Sequence, residues 1–241
     1  MKTIQLFTLL LFTMVTFYGN SLQASKVIDG RQTRQVSGFH GISVSSGLDL
    51  QLTQKNVEEV QVEADSEDQD KIITKVEDGI LKIYIREKSW PRLNWNNKNR
   101  KVYVSFKTLD HLQASAGSDV KSLSALKPDK LNLDVSSGSH VKLELDANEL
   151  HVETSSGSGV SLNGKATVFH VSASSGSDID AGALESNKCS ANASSGSNIK
   201  VNVTGELDAN ASSGGDITYT GNPKTKNVRE SSGGDVSGRI K

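Results

Sequence analysis

Apolar and polar residues alternate along most of this chain, and one tripeptide interrupts the alternation at regular intervals. It appears as Ser45-Ser46-Gly47, Ser115-Ala116-Gly117, Ser136-Ser137-Gly138 and Ser155-Ser156-Gly157. It continues as Ser174-Ser175-Gly176, Ser194-Ser195-Gly196, Ser212-Ser213-Gly214 and Ser231-Ser232-Gly233. From Gly117 onward the glycines are 21, 19, 19, 20, 18 and 19 residues apart. A period near 19 is the mark of a solenoid, in which each repeat is one supersecondary unit. Aligned on the glycine, Leu131, Leu150, Phe169, Cys189 and Leu207 stand seven residues before it. Leu112, Leu133, Val152, Val171, Ala191 and Ala209 stand five before it, and Val120, Val141, Val160, Ile179, Ile199 and Ile217 three after it. Period-2 alternation on both sides of a turn predicts half-buried strands.

A unit of about 19 residues cannot bury its apolar face alone. Stacked as a parallel β-helix, each strand gains neighbours at ~4.8 Å and the apolar columns merge into one narrow core. The fold class is therefore all-β, a parallel β-helix with the Ser-Ser-Gly at a corner, where glycine supplies positive φ. Second bends are expected at Asp146-Ala147-Asn148-Glu149, Asn163-Gly164-Lys165, Thr204-Gly205-Glu206 and Gly221-Asn222-Pro223-Lys224. Lys226 and Glu230 fall in columns that are apolar elsewhere, which predicts a polar end to the stack.

The first half lacks the strict period but reads as strands at Val60–Ala64, Ile80–Ile85 and Val102–Phe106, with a tight turn at Asp78-Gly79. Residues 25–110 are expected to form an N-terminal β region continuous with the solenoid coils of 111–241. Residues 1–24 carry Lys2, an apolar run from Ile4 to Tyr18 and a small-residue exit, which together read as a signal peptide cut after Ala24. The expected location is the periplasm, the outer-membrane surface or the exterior. No later segment is apolar enough to span a membrane as a helix.

Composition narrows the function more than it names it. The chain has 241 residues, 35% hydrophobic and 5% aromatic, with a net charge of -1 that loss of Lys2 takes to -2. Such a balance gives no drive toward nucleic acid. The lone Cys189 cannot form an internal disulfide and reads as core packing.

The stretch Phe39 to Gly47, the Asp78-Gly79-Ile80-Leu81-Lys82-Ile83 hairpin, Lys101-Val102-Tyr103-Val104 and Leu112-Gln113-Ala114-Ser115-Ala116-Gly117-Ser118-Asp119-Val120 resemble one family. It is the putative auto-transporter adhesin, head GIN domain, and the resemblance covers about residues 36 to 220. It implies a β-helical fold and export, and it brings no catalytic residues.

Three constellations could carry chemistry. The segment from Arg86 to Lys101 holds Trp90, Arg92, Asn94, Trp95 and Asn96, a mix suited to stacking on sugar faces and bonding their hydroxyls. His151 and His170 are both six residues before their glycines, so they should stack on adjacent coils. With Glu153 nearby they form a candidate metal set. Asp49, Asp119, Asp178, Asp216 and Asp235 make a column two residues after the glycine, and Asp178 and Asp180 share a face. The sequence reads best as an exported, non-catalytic binding or adhesion module for a glycan or cell-envelope partner, with no cofactor. A polysaccharide-degrading enzyme using Asp178 and Asp180 is one alternative. An envelope scaffold that self-associates through its end coils is the other.

Overall fold

The computed structural model describes residues 27–28, 31–86 and 100–239. Strands β1 (Val27–Ile28), β2 (Arg31–Arg34), β3 (Gly41–Val44), β4 (Asp49–Gln54) and β5 (Glu59–Glu63) precede a single turn of helix, α1 (Ser66–Gln69). Then come β6 (Ile72–Glu77), β7 (Ile80–Ile85), β8 (Lys101–Phe106), β9 (His111–Ala114), β10 (Asp119–Ser122) and β11 (Lys130–Val135). Four long strands follow, β12 (His140–Thr154), β13 (Gly159–Ala173), β14 (Asp178–Ala193) and β15 (Asn198–Ala211). The chain closes with β16 (Asp216–Gly221), β17 (Thr225–Glu230) and β18 (Asp235–Gly238). The expected parallel β-helix with coils of about 19 residues is the observed architecture.

The parallel register follows the repeat. Leu131, Leu150, Phe169, Cys189 and Leu207 pair in succession along one column. All five are buried. Burial pushes the Cys189 thiol up to about 12, so it stays protonated and packs as a small apolar group.

Three of the expected second turns do not interrupt the strands. Asp146–Glu149 lies inside β12, Asn163–Lys165 inside β13 and Thr204–Glu206 inside β15. Between β12 and β13 the inter-coil ladder continues through the bend, as in Leu145↔Gly164 and Asp146↔Lys165, whereas β13 with β14 and β14 with β15 shift register there. What changes is the parity: buried positions are odd-numbered up to Ala147 and resume at Leu150. At Gly221–Lys224 the ladder does break, between β16 and β17.

The corners are tighter than glycine alone would require. At all eight, the residue before the glycine is also left-handed, for example Ser137 at φ 55° and Gly138 at 70°. A left-handed L-residue costs about 1–2 kcal/mol. Hydrogen bonding offsets that cost. Gly138 N–H donates to the carbonyl of Ser156, the left-handed serine one coil on, at 3.1 Å, and Gly157 does the same to Ser175. Within the corner Ser139 N–H donates to Ser136 O at 3.3 Å.

A fourth corner position is buried. Ser118, Ser139, Ser158, Ser177 and Ser197 follow their glycines and are nearly inaccessible. Ser177 Oγ donates to Ser174 O at 2.8 Å and lies 2.9 Å from Thr154 Oγ1 on the preceding coil. Ser177→Ala is expected to cost about 1–2 kcal/mol, because Thr154 and the Ser174 carbonyl lose a buried partner. Urea unfolding would measure it, and an unchanged midpoint would disprove the structural role given to this hydroxyl. In the last two corners glycine takes this place. A Cβ on Gly215 would come within 2.6 Å of the Ala193 carbonyl carbon, and one on Gly234 within 2.4 Å of that of Ala211.

The N-terminal strands do not stack in chain order. β3 lies between β7 and β9, and β4 between β8 and β10, so the first coil of the chain is the second of the stack. Beyond β8 the sheet turns antiparallel, with β5, β2 and β1 added in succession. β6 and β7 form the hairpin expected at Asp78-Gly79, both left-handed at 53° and 75°. One apolar cluster runs from Phe39 to Ile217 through both halves. At the other end β17 is exposed along its whole length, as its lysine and glutamate predicted. No helix among the described residues is long and apolar enough to cross a membrane.

Candidate functional site: an open groove on the helix wall

The strands that follow each corner form one flat wall. Outward positions of the wall make two parallel columns along the helix axis. One reads Lys101, Asp49, Asp119, His140, Gly159, Asp178, Asn198 and Asp216 in register. The other reads Gln51, Lys121, Lys142, Ser161, Asp180 and Lys200. Where Gly159 and Ser161 replace longer side chains the wall is hollowed, giving a groove of about 550 Å³ that runs from Lys101 to Asp180. The glycine also makes room for its neighbour, since a Cβ there would stand 3.0 Å from His140 Cδ2.

The groove is of mixed charge, with the carboxylates of Asp49, Asp119, Asp178 and Asp180 set against the ammonium groups of Lys101, Lys121 and Lys142. His140 Nδ1 lies 3.6 Å from Asp119. Asn198 donates to Asp178 at 2.7 Å, and Lys200 stands 3.7 Å from Asp180. These are the partners of an open ladder, and both aspartates are exposed.

Asp49 is the strained member. Burial, and then the Asp119 carboxylate on the next coil, push its acid strength down and its pKa up, against the pull of Lys101 and Lys121. A carboxyl whose pKa is raised by folding binds its proton more tightly in the native state. Its ionised form therefore opposes folding, and that cost disappears as pH falls through the raised value. Asp49→Asn is expected to raise Tm by roughly 1–3 °C at neutral pH. The difference should vanish in acid below the ordinary value of 3.8. Paired thermal melts would check it, and a lowered Tm at neutral pH would refute it.

The other predicted site residues fall in different places. Trp90, Arg92, Asn94, Trp95 and Asn96 lie outside the described residues. The strand that follows that segment begins at Lys101, which stands at one end of the groove. His151 and His170 do meet on adjacent coils, with ring centroids 4.5 Å apart and planes 23° from parallel. The carboxylate that joins them is Glu149, hydrogen-bonded to His151 Nε2, while Glu153 is paired in register with Asp134 and Ser172. Both glutamates point outward by parity, so position in the strand could not choose between them. The groove itself was legible only as two neighbouring columns in which Gly159 and Ser161 interrupt larger residues.

A parallel β-helix with an open, mixed-charge groove along one wall is the class that fold and site define. The chain belongs to the family described as putative auto-transporter adhesin, head GIN domain, whose model matches residues 38–223. A putative adhesin from Bacteroides fragilis has a crystal structure that superposes with a TM-score of 0.79 at 22% identity, over 87% of this chain and 96% of that one. A putative lipid binding protein from Parabacteroides distasonis gives 0.64 at 21%, over 88% and 97%. A putative adhesin from the same species gives 0.66 at 19%, over 87% and 96%. At these identities the likeness is one of fold. No curated protein matches the chain.

Proposed function

We propose that this chain is an exported, non-catalytic binding module of the adhesin type. Its ligand in this reading is a hydroxyl-rich polymer, a glycan, laid along the groove. The observation that carries the reading is the pairing of an acidic column with a basic one over several coils. Such a surface offers donors and acceptors to hydroxyl groups at each coil, with a repeat of ~4.8 Å. A polyanion, whether nucleic acid or anionic lipid surface, would gain no net attraction from a groove whose three lysines are matched by four aspartates. Individually weak contacts repeated along a rigid rod add through effective concentration. In this reading Trp90 and Trp95 stack on sugar faces, and Arg92, Asn94 and Asn96 bond sugar hydroxyls.

The test is retention of the purified chain on a panel of host and bacterial polysaccharides, scored together with newly formed reducing or unsaturated ends. Retention without new ends is expected. It should weaken about tenfold in Lys121→Glu/Lys142→Glu, a loss of roughly 1.4 kcal/mol, and also in Trp90→Ala/Trp95→Ala. New ends would overturn the reading in favour of hydrolysis or elimination at the Asp178 and Asp180 wall. Retention on phospholipid vesicles but on no polysaccharide would overturn the ligand class. Silence on both would turn the search to protein partners and to self-association through β17 and β18.

A further inference from the structure

On the other wall, away from the groove, we propose a zinc-class metal site built from Glu149, His151 and His170, with water as the fourth ligand. The three donor atoms lie within 4.8 Å of one another. The histidines come from matched positions of β12 and β13, so the backbone ladder fixes their spacing before any metal arrives. The third donor follows from the bend. β12 changes parity between Ala147 and Leu150, and this swings Glu149 onto the outward row beside His151, where the two side chains already share a hydrogen bond.

The donor set suits a borderline cation. Two imidazoles and one carboxylate, closed by water, are a familiar tetrahedral shell for Zn²⁺, with bonds of about 2.0–2.2 Å. Two ligands on one tetrahedral ion stand ~3.3 Å apart at those bond lengths. Closing from the observed spread needs only side-chain rotation, because all three groups are at least partly exposed. Hard cations such as Ca²⁺ and Mg²⁺ prefer all-oxygen shells and are disfavoured here.

One competitor is built in. Lys130 Nζ donates to Glu149 Oε1 at 2.9 Å on the preceding coil. The metal must displace that exposed ammonium group, which holds its partner weakly. His170 also borders a shallow groove of about 340 Å³ that continues past Ser190 and Asp208.

The experiment uses the chain without a histidine tag, stripped of metal and dialysed against zinc chloride, with the metal counted per chain. Cobalt(II) then serves as a spectroscopic probe of the same site. One zinc per chain and an intense tetrahedral cobalt spectrum are expected. Affinity should fall at least about tenfold in His170→Asn and in Glu149→Gln. It should hold in Glu153→Gln and in His140→Asn on the groove wall, and rise in Lys130→Met, which frees the carboxylate. Retained binding in His151→Asn/His170→Asn, or a ratio well below one zinc per chain at saturating metal, would overturn the proposal. All these residues are on the surface, and circular dichroism of each variant confirms that the comparison is between folded chains. Glycan retention is read separately, so failure here leaves the groove reading intact.

Discussion

Phe169→Ala should destabilise the protein by about 3–5 kcal/mol, the range for removing a fully buried aromatic ring. Phe169 is fully buried and stands between Leu150 and Cys189 in the central column. Cores that relax recover part of such a loss. This one has little means to do so, because the backbone ladder holds β12, β13 and β14 at fixed spacing on both sides. The interior there is thin, and Ala173, Ala181, Ala191 and Ala193 have no length to reach into a void. In a solenoid the damage is also shared by both neighbouring interfaces. Denaturant unfolding followed by circular dichroism would read the loss, with a Tm lower by roughly 6–20 °C. Phe169→Leu should cost under about 1.5 kcal/mol, since leucine fills the same column at 131, 150 and 207. Equal losses in the two variants would show that the ring does not fill space in the manner described.

The second large effect is at the N-terminal end. Arg100→Ala should cost roughly 3 kcal/mol, the lower end of the range for breaking a buried ion pair. Arg100 Nε donates to Asp68 Oδ2 at 2.8 Å, and both side chains are over 90% buried. Asp68 lies on α1, and Arg100 O accepts from Asp49 N–H at the head of the groove. The loss stays at the lower end because Lys71 Nζ still holds Asp68 at 2.7 Å. Burial pushes the Asp68 carboxyl up, but the hydrogen bonds from Lys71 and Arg100 outweigh it, and its pKa lies below the usual carboxylate value. A carboxyl depressed by folding stabilises the native state while ionised. That contribution is full above the unfolded value of 3.8 and is lost as pH falls through the lower folded one. The gap between the original chain and Arg100→Ala should therefore narrow in acid. A gap that widened there would refute the role assigned to the pair.

Much of the solenoid was legible because its geometry repeats. Leu131, Leu150, Phe169, Cys189 and Leu207 share a column in sequence because they share one in space. The polar end was legible for the same reason, from Lys226 and Glu230. The left-handed residue before each glycine was not, since such a φ depends on support from the stack, as where Gly138 N–H of the preceding coil holds the Ser156 carbonyl. The stacking order of the first coils was hidden too, because β3 pairs with β7 and β9 across long sequence separations and no local pattern marks either partner.

The site divides along the same line. His151 and His170 could be placed on adjacent coils from their distance to the glycine, since parallel pairing carries equal offsets into contact. The choice of Glu149 over Glu153 depended on side-chain conformation, since both flank His151 on the same outward row and only Glu149 bonds its ring. The Asp68–Arg100 pair joins residues 32 apart through the fold of the N-terminal strands. The sequence by itself determined the repeat, the coil length, the buried columns and the polar end, because these depend on side-chain parity and a fixed period. Only the tertiary structure decided the stacking order, the groove over Gly159 and Ser161 and the third member of the histidine cluster. These arise where neighbouring coils differ, and a difference between coils acquires a shape only when they are stacked.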